Sequence, residues 1–147
     1  MGRGPISALV ALLGLALVAF GCGGGDDSLT KAEFIKQGDA ICKRTEDQKN
    51  KALEAAFAQQ AKTGEAPDKA FQISLVNTVA LPPVVQMTEE LDDLGPPDEE
   101  AEAIVAAFEA STDAITDNPA GVLDGSNPFV EADQLAAEYG FKACSET

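Results

Sequence analysis

Residues 98–118, DEEAEAIVAAFEASTDAITDN, carry the clearest structural signal in the chain. Apolar or small side chains recur there at the three- and four-residue spacing that places them on one side of an α-helix. They are Ala101, Ile104, Val105, Phe108, Thr112 and Ile115. Pro96-Pro97 and the acidic residues that follow suit a helix N-terminus, and Asn118-Pro119 ends the pattern. This stretch predicts an amphipathic helix that packs against other helices.

Two further helices are predicted upstream of this stretch. Thr30 and Glu33 form a capping box that begins a first helix, which we expect to extend to Gly64. A second helix is expected over residues 67–95. The Pro82-Pro83 pair interrupts it, because neither residue donates an amide proton and each ring crowds a preceding carbonyl. We therefore expect a kink near Leu81, with the helix continuing beyond it.

A last short helix is predicted over residues 127–140, after a loop at residues 119–127. Its expected inward-facing side chains are Phe129, Val130, Leu135, Ala136 and Tyr139. No segment shows the alternation of a strand. The predicted fold class is all-α: a small four-helix bundle with a kinked second helix, closed by a disulfide between the first helix and the C-terminus.

Composition narrows the possible functions. The 147 residues carry a net charge of −15, which repels nucleic acid, so no nucleic-acid partner is expected. The chain has no histidine, the commonest general base and a frequent metal ligand. No nucleophile motif such as G-x-S-x-G is present. We therefore expect no catalytic residue, no metal site and no cofactor, and regard an envelope enzyme that uses carboxylates alone as the minority hypothesis.

Cys22 follows an apolar run at residues 6–20, with Arg3 ahead of the run and Ala19-Phe20-Gly21 directly before the cysteine. This arrangement is typical of a bacterial lipoprotein signal. A transmembrane anchor is the less favoured alternative, because fifteen helical residues span about 22 Å and a bilayer core is roughly 30 Å thick. An ordinary secretory signal is the other alternative.

The predicted organisation is a signal peptide at residues 1–21, a lipidated flexible tether at residues 22–29 and a helical domain at residues 30–147. The lipid on Cys22 would hold the protein on the extracytoplasmic face of the cell membrane. Assigning Cys22 to lipid leaves Cys42 and Cys144 as a pair, which in an exported domain indicates a disulfide. A redox switch and a thiolate metal site are the alternatives for this pair.

Several short segments carry a resemblance to known proteins. They are Phe34-Ile35, Asp39-Ala40-Ile41-Cys42, Leu81-Pro82, Leu91-Asp92-Asp93-Leu94, Pro96-Pro97 and Tyr139-Gly140-Phe141-Lys142-Ala143-Cys144. The pattern resembles a group of small exported lipoproteins of actinobacteria. The resemblance implies export, paired cysteines and a helical fold, and it adds no catalytic residue.

The function expected from the sequence is a non-enzymatic interaction or accessory module of the cell envelope, with a possible envelope protein as partner. The alternative is a small-ligand or cation binder, with a cavity near the Pro82 kink lined by Phe71, Val79, Val85 and Phe108. The acidic runs at residues 89–102 and 124–133 are the places where a cation could bind. Helix-dipole, turn and surface roles are the stronger explanation of their charges.

Overall fold

The computed structural model describes residues 28–145, and every regular element in that part of the chain is helical. The predicted signal peptide, Cys22 and all but the last two residues of the predicted tether lie outside the described residues. The elements are α1 (Lys31–Ala61), α2 (Lys69–Leu75), a π-helix (Val76–Ala80), α3 (Leu81–Asp93), α4 (Glu99–Asp117), α5 (Pro119–Leu123) and α6 (Val130–Tyr139). The all-α prediction is confirmed for these residues.

Side-chain caps begin the long helices as the sequence indicates. The Thr30 hydroxyl and amide both donate to the Glu33 carboxylate, and the Glu33 amide donates to the Thr30 hydroxyl oxygen. These hydrogen bonds lower the pKa of Glu33. Asp68 accepts from the Phe71 amide at the start of α2, and Asp98 caps α4 in the same way. Local sequence therefore fixes where these helices begin.

The segment with the Pro82-Pro83 pair runs as one helical stretch from α2 through the π-helix into α3. The two prolines occupy the first turn of α3, where their missing amide donors cost least. In the turn before them, the Leu81 amide donates to the Val76 carbonyl, five residues back. The chain thus passes the prolines by widening the helix by one residue over a single turn.

The helices pack side by side into a helical bundle in which α1 contacts α3, α3 contacts α4, and α4 contacts α6. The amphipathic face of residues 98–118 supplies the centre of the core, as predicted. The most completely buried large side chains are Phe34, Met87, Leu91, Ile104 and Phe108.

The C-terminal segment is tied back onto α1. Cys42 and Cys144 form the predicted disulfide, with Cα atoms 5.2 Å apart. One turn before Cys42, the Asp39 carboxylate accepts hydrogen bonds from the amides of Lys142 and Ala143, at 2.9 and 2.8 Å. Gly38 lets the segment approach closely, since a Cβ there would lie 2.5 Å from the Phe141 ring.

Three local expectations are wrong. The predicted loop at residues 119–127 contains α5, which forms because Pro119 suits a first helical position and Asn118 caps it through the Gly121 amide. Val130 was expected to face inward, yet 59% of it is exposed at the start of α6. The first helix ends at Ala61 rather than Gly64, because Gly64 takes a positive φ in the turn that follows.

Candidate functional site

An apolar groove lies beside the π-helix, at the end of the bundle that is remote from the disulfide. Its main hollow has a volume of about 500 Å³. The lining residues are Leu53, Phe57, Pro67, Gln72, Leu75, Val76, Ala80 and Leu123. Gln72 is the sole polar side chain among them. The volume lies within the range of small-molecule binding sites, about 300–1,000 Å³.

A second hollow of about 170 Å³ adjoins the first along the π-helix, since Val76 and Ala80 line both. Its other lining residues are Lys49, Leu81, Val84, Ile115, Val122 and Phe129. The two hollows together are called the groove below. They bring together side chains from α1, α2, the π-helix, α3, α4 and α5.

Helix periodicity explains the wall that α1 contributes. Lys49, Leu53 and Phe57 are four residues apart and therefore share one side of α1. Phe57 meets Phe71 of α2 edge to face, with ring centroids 5.9 Å apart. Even so, 45% of Phe57 stays exposed, and Val122 on the facing α5 is 36% exposed. Large apolar side chains thus remain accessible at the groove.

The electrostatics of the groove differ from those of the whole chain. Although the chain has 25 aspartates and glutamates, none of them lines either hollow. Lys49 is the single charged lining residue. At the rim, Lys69 and Asp124 neutralise each other in an ion pair of 3.2 Å. The lining of the two hollows includes no hydroxyl, thiol or carboxylate.

The cavity expected from the sequence is not the one that forms. Phe108 is completely buried in the core and lines neither hollow. Val85 lines a separate, acidic depression of about 250 Å³ between α3 and α4. Phe71 contacts the groove wall through Phe57. The prediction placed the cavity beside the correct helix, but it had no information on which face α1 and α5 leave open.

Several residues of the acidic runs have structural roles. Asp98 caps α4 and accepts a hydrogen bond of 2.9 Å from the Tyr139 hydroxyl. Glu90 pairs with Arg44, and Asp124 with Lys69. Asn127 accepts from the Phe129 amide. Within residues 28–145, no group of three or more cysteine, aspartate or glutamate side chains is arranged to hold a metal ion.

One helical stretch of the described chain, Lys69–Asp93, is long and apolar enough to cross a membrane by length and composition. Core helices of soluble proteins can have the same length and composition, so these two properties do not distinguish a membrane span from a core helix. Only 22% of the most apolar part of this stretch is buried inside the bundle. Of the groove-lining residues in this stretch, Leu75 and Val84 are buried, whereas Val76, Ala80 and Leu81 are partly buried.

Of the site residues predicted from the sequence, Cys42 and Cys144 form a structural bridge, and Cys22 lies outside the described residues. The groove residues were not predicted as a group. The sequence contains two signals for this groove. Leu53 and Phe57 are four residues apart on α1, and a proline pair distorts the facing helix.

No protein-family model, no curated protein and no solved structure matches the chain.

Proposed function

We propose that this chain is a non-enzymatic accessory module of the cell envelope, anchored at the extracytoplasmic face of the membrane through a lipid on Cys22. In this proposal the module binds an apolar ligand in the groove. The signal pattern before Cys22 and the resemblance to small exported actinobacterial lipoproteins support the anchoring. The disulfide also fits an exported domain, because disulfides persist in oxidising compartments.

The domain itself we interpret as a four-helix bundle. Its four members are α1, the continuous α2 to α3 stretch kinked at the prolines, α4 and α6, and α5 is an added turn. The observed neighbours, α1 with α3, α3 with α4, and α4 with α6, support this description.

The observation that carries the functional proposal is the composition of the groove. The chain carries 25 aspartates and glutamates, yet the groove is lined almost completely by apolar side chains. An accessible apolar concavity in an otherwise charged protein marks a binding surface. The lack of nucleophiles and carboxylates in the lining supports a non-enzymatic role.

The position of the groove relative to the proposed anchor supports recognition away from the membrane attachment point. The tether joins α1 at Thr30, whereas the groove begins at Lys49 and its main hollow lies at Leu53 and Phe57. From Lys31 to Leu53, α1 rises about 33 Å. The start of α1, where the tether joins it, and the main hollow therefore lie toward opposite ends of that helix.

A segment of an envelope protein is the second candidate occupant of the groove; a small ligand is the candidate that the size of the main hollow favours. The cation-binding form of that candidate has no matching arrangement of carboxylates within residues 28–145.

Fractionation of cells tests the anchor. We expect the wild-type chain in the membrane fraction and the Cys22→Ser variant in the soluble extracytoplasmic fraction, because the variant lacks the acylated sulfur. Gly23→Ser, which keeps Cys22, serves as the control and should remain in the membrane. Retention of Cys22→Ser in the membrane would contradict the lipid anchor.

Photo-crosslinking in intact cells tests the groove. A photoreactive side chain at position 57 should give discrete adducts, because Phe57 stands at the mouth of the groove. The same group at Ala55, exposed on another side of α1, is the matched control and should give none. Equal labelling at the two positions would contradict the groove as the binding surface.

A further inference from the structure

Lys49 is an unusual residue in its surroundings. It is half-buried where it lines the smaller hollow, and its ammonium group has no ion-pair or hydrogen-bond partner within the described chain. Other basic side chains in the same part of the molecule do find carboxylates, such as Arg44 with Glu90 and Lys69 with Asp124. Lys49 is therefore a partly buried cation with no carboxylate partner within the described chain, at the edge of an apolar hollow.

The charge distribution makes this location distinctive. No lysine or arginine occurs between residues 70 and 141, so the surfaces of α3, α4 and α6 carry acidic groups alone. The neighbouring acidic depression between α3 and α4, with Glu89, Glu109 and Asp113, would repel an anion. The groove has Lys49 and no carboxylate in its lining. An anionic group attached to an apolar chain would therefore meet less repulsion from carboxylates there than in the acidic depression.

We infer that the groove binds a single acyl chain that carries an anionic head, with the head beside Lys49 and the tail along the π-helix toward Phe57. This inference rests on the proposed function and gives its ligand a chemical class. Lys49 and Phe57 are eight residues apart on one side of α1, so the site extends over about 12 Å of helix. The tail would lie against Val76 and Ala80, which connect the two hollows.

The lipid of the chain itself does not match this site. A diacylglyceryl group on Cys22 has no anionic head, and its tether joins the opposite end of α1. A fatty acid and a lysophospholipid share the required chemistry, an anion on one apolar chain. They differ in whether the anion is a carboxylate or a phosphate.

Titration calorimetry at about 0.15 M salt, where the Debye length is about 8 Å, tests the inference. The protein is the chain from residue 22 with Cys22→Ser, which contains the whole described bundle and needs no detergent. The probes are dodecanoate, dodecyl phosphate and dodecyltrimethylammonium, each below its micelle concentration. Comparison of the first two probes distinguishes a carboxylate source from a phosphate source.

We expect at least one of the two anionic probes to bind, and the cationic probe to bind at least about tenfold more weakly, which corresponds to about 1.4 kcal/mol. Lys49→Gln should weaken the anionic probes about tenfold, and Lys49→Arg should restore them. Lys51→Gln removes an exposed lysine two residues away and should change nothing. Ala80→Phe should block binding, because the ring would lie at the junction of the two hollows, which Ala80 lines; Ala58→Phe, on the exposed side of α1, is its control.

The outcomes separate the inference from the proposed function. Binding of the cationic probe as tightly as the anionic ones, still blocked by Ala80→Phe, would overturn the anionic head and leave the groove as an apolar binding site. Anion binding that survives Ala80→Phe in a folded variant would overturn the site itself. If no probe binds the folded wild-type protein, the acyl ligand is wrong, and crosslinking from position 57 decides whether the groove instead takes a protein segment.

Discussion

The two ends of α1 meet aromatic rings in similar ways and with opposite results. Near its start, Phe34 contacts Phe141 and Tyr139 edge to face, with ring centroids 5.7 and 6.3 Å apart, and all three residues are buried. Near its end, Phe57 meets Phe71 at 5.9 Å, and 45% of Phe57 stays exposed. The same ring geometry serves a closed core at one end and an open groove at the other.

The difference comes from what covers the rings. At the closed end, the C-terminal segment folds over α1 and is held by the Cys42–Cys144 bridge and by two amides that donate to Asp39. At the open end, α2, the π-helix and α5 surround the groove without filling it. Stability is therefore concentrated where the C-terminus returns, and accessible apolar surface where it does not.

Removal of the disulfide should produce the largest loss of stability. The bridge joins residues 102 apart, and the chain-entropy model gives about 4.7 kcal/mol for a loop of about 100 residues. We expect the Cys42→Ala/Cys144→Ala variant to lose about 4–5 kcal/mol of unfolding free energy, measured by urea denaturation.

A reducing agent supplies the control for this experiment. It should lower the urea midpoint of the wild-type protein toward that of the double variant and leave the variant unchanged. A loss below about 1 kcal/mol would show that the closed end does not depend on its covalent bridge.

A pair of phenylalanine substitutions compares the two ends directly. Phe34→Ala removes a completely buried ring and should cost about 3–5 kcal/mol through lost burial and the cavity left behind. Phe57→Ala removes a half-exposed ring and should cost at most about 1 kcal/mol. Both free energies of unfolding should be measured by urea denaturation of the oxidised protein.

Equal costs at the two positions would contradict the comparison between a closed and an open end. Phe57→Ala has a second use, because it should weaken acyl-chain binding in the groove while leaving the fold intact. Phe34→Ala should affect binding only as far as it unfolds the protein.

Local patterns predicted the helices and the closed end well. The capping box at Thr30 and Glu33 and the amphipathic residues of α4 act through neighbours in sequence, so their roles can be deduced without a structure. The pairing of Cys42 with Cys144 was deduced from the number of cysteines that remain once Cys22 is assigned to lipid, and from the expected export. The groove residues come mainly from five α-helices and the π-helix, and their meeting depends on packing that no local pattern encodes.

The prolines show how far sequence reasoning extends at the open end. A disturbance at Pro82-Pro83 was predictable, because the missing amide donors must affect the preceding turn. Its form was not, since a sharp bend and a π-helical turn both relieve the same loss. The observed π-helix places Val76 and Ala80 along both hollows, and this placement decides the shape of the groove.

The last prediction concerns the ionisation of a phenol at each end of α1, first that of Tyr139 and then that of a tyrosine introduced at position 57. Burial raises the pKa of Tyr139 above its ordinary value of about 10, and the hydrogen bond that its hydroxyl donates to Asp98 raises it further. Below pH 10 the phenol is neutral in both the folded and the unfolded chain, so its contribution to stability is fully present. Above pH 10 the unfolded chain loses the proton first, and stability should fall by at most about 1.4 kcal/mol per pH unit.

Tyr139 is the only tyrosine, so phenolate absorbance reports its ionisation without interference. Native protein should titrate at higher pH than urea-unfolded protein. In Tyr139→Phe the absorbance signal disappears, and the fall in stability above pH 10 should be smaller than in the wild-type protein. Phe57→Tyr in the Tyr139→Phe background then places a phenol at the groove. It should titrate near pH 10, because the exposed side of that ring keeps a phenolate hydrated. A raised pKa at position 57 as well would mean that the groove end is as closed to water as the disulfide end.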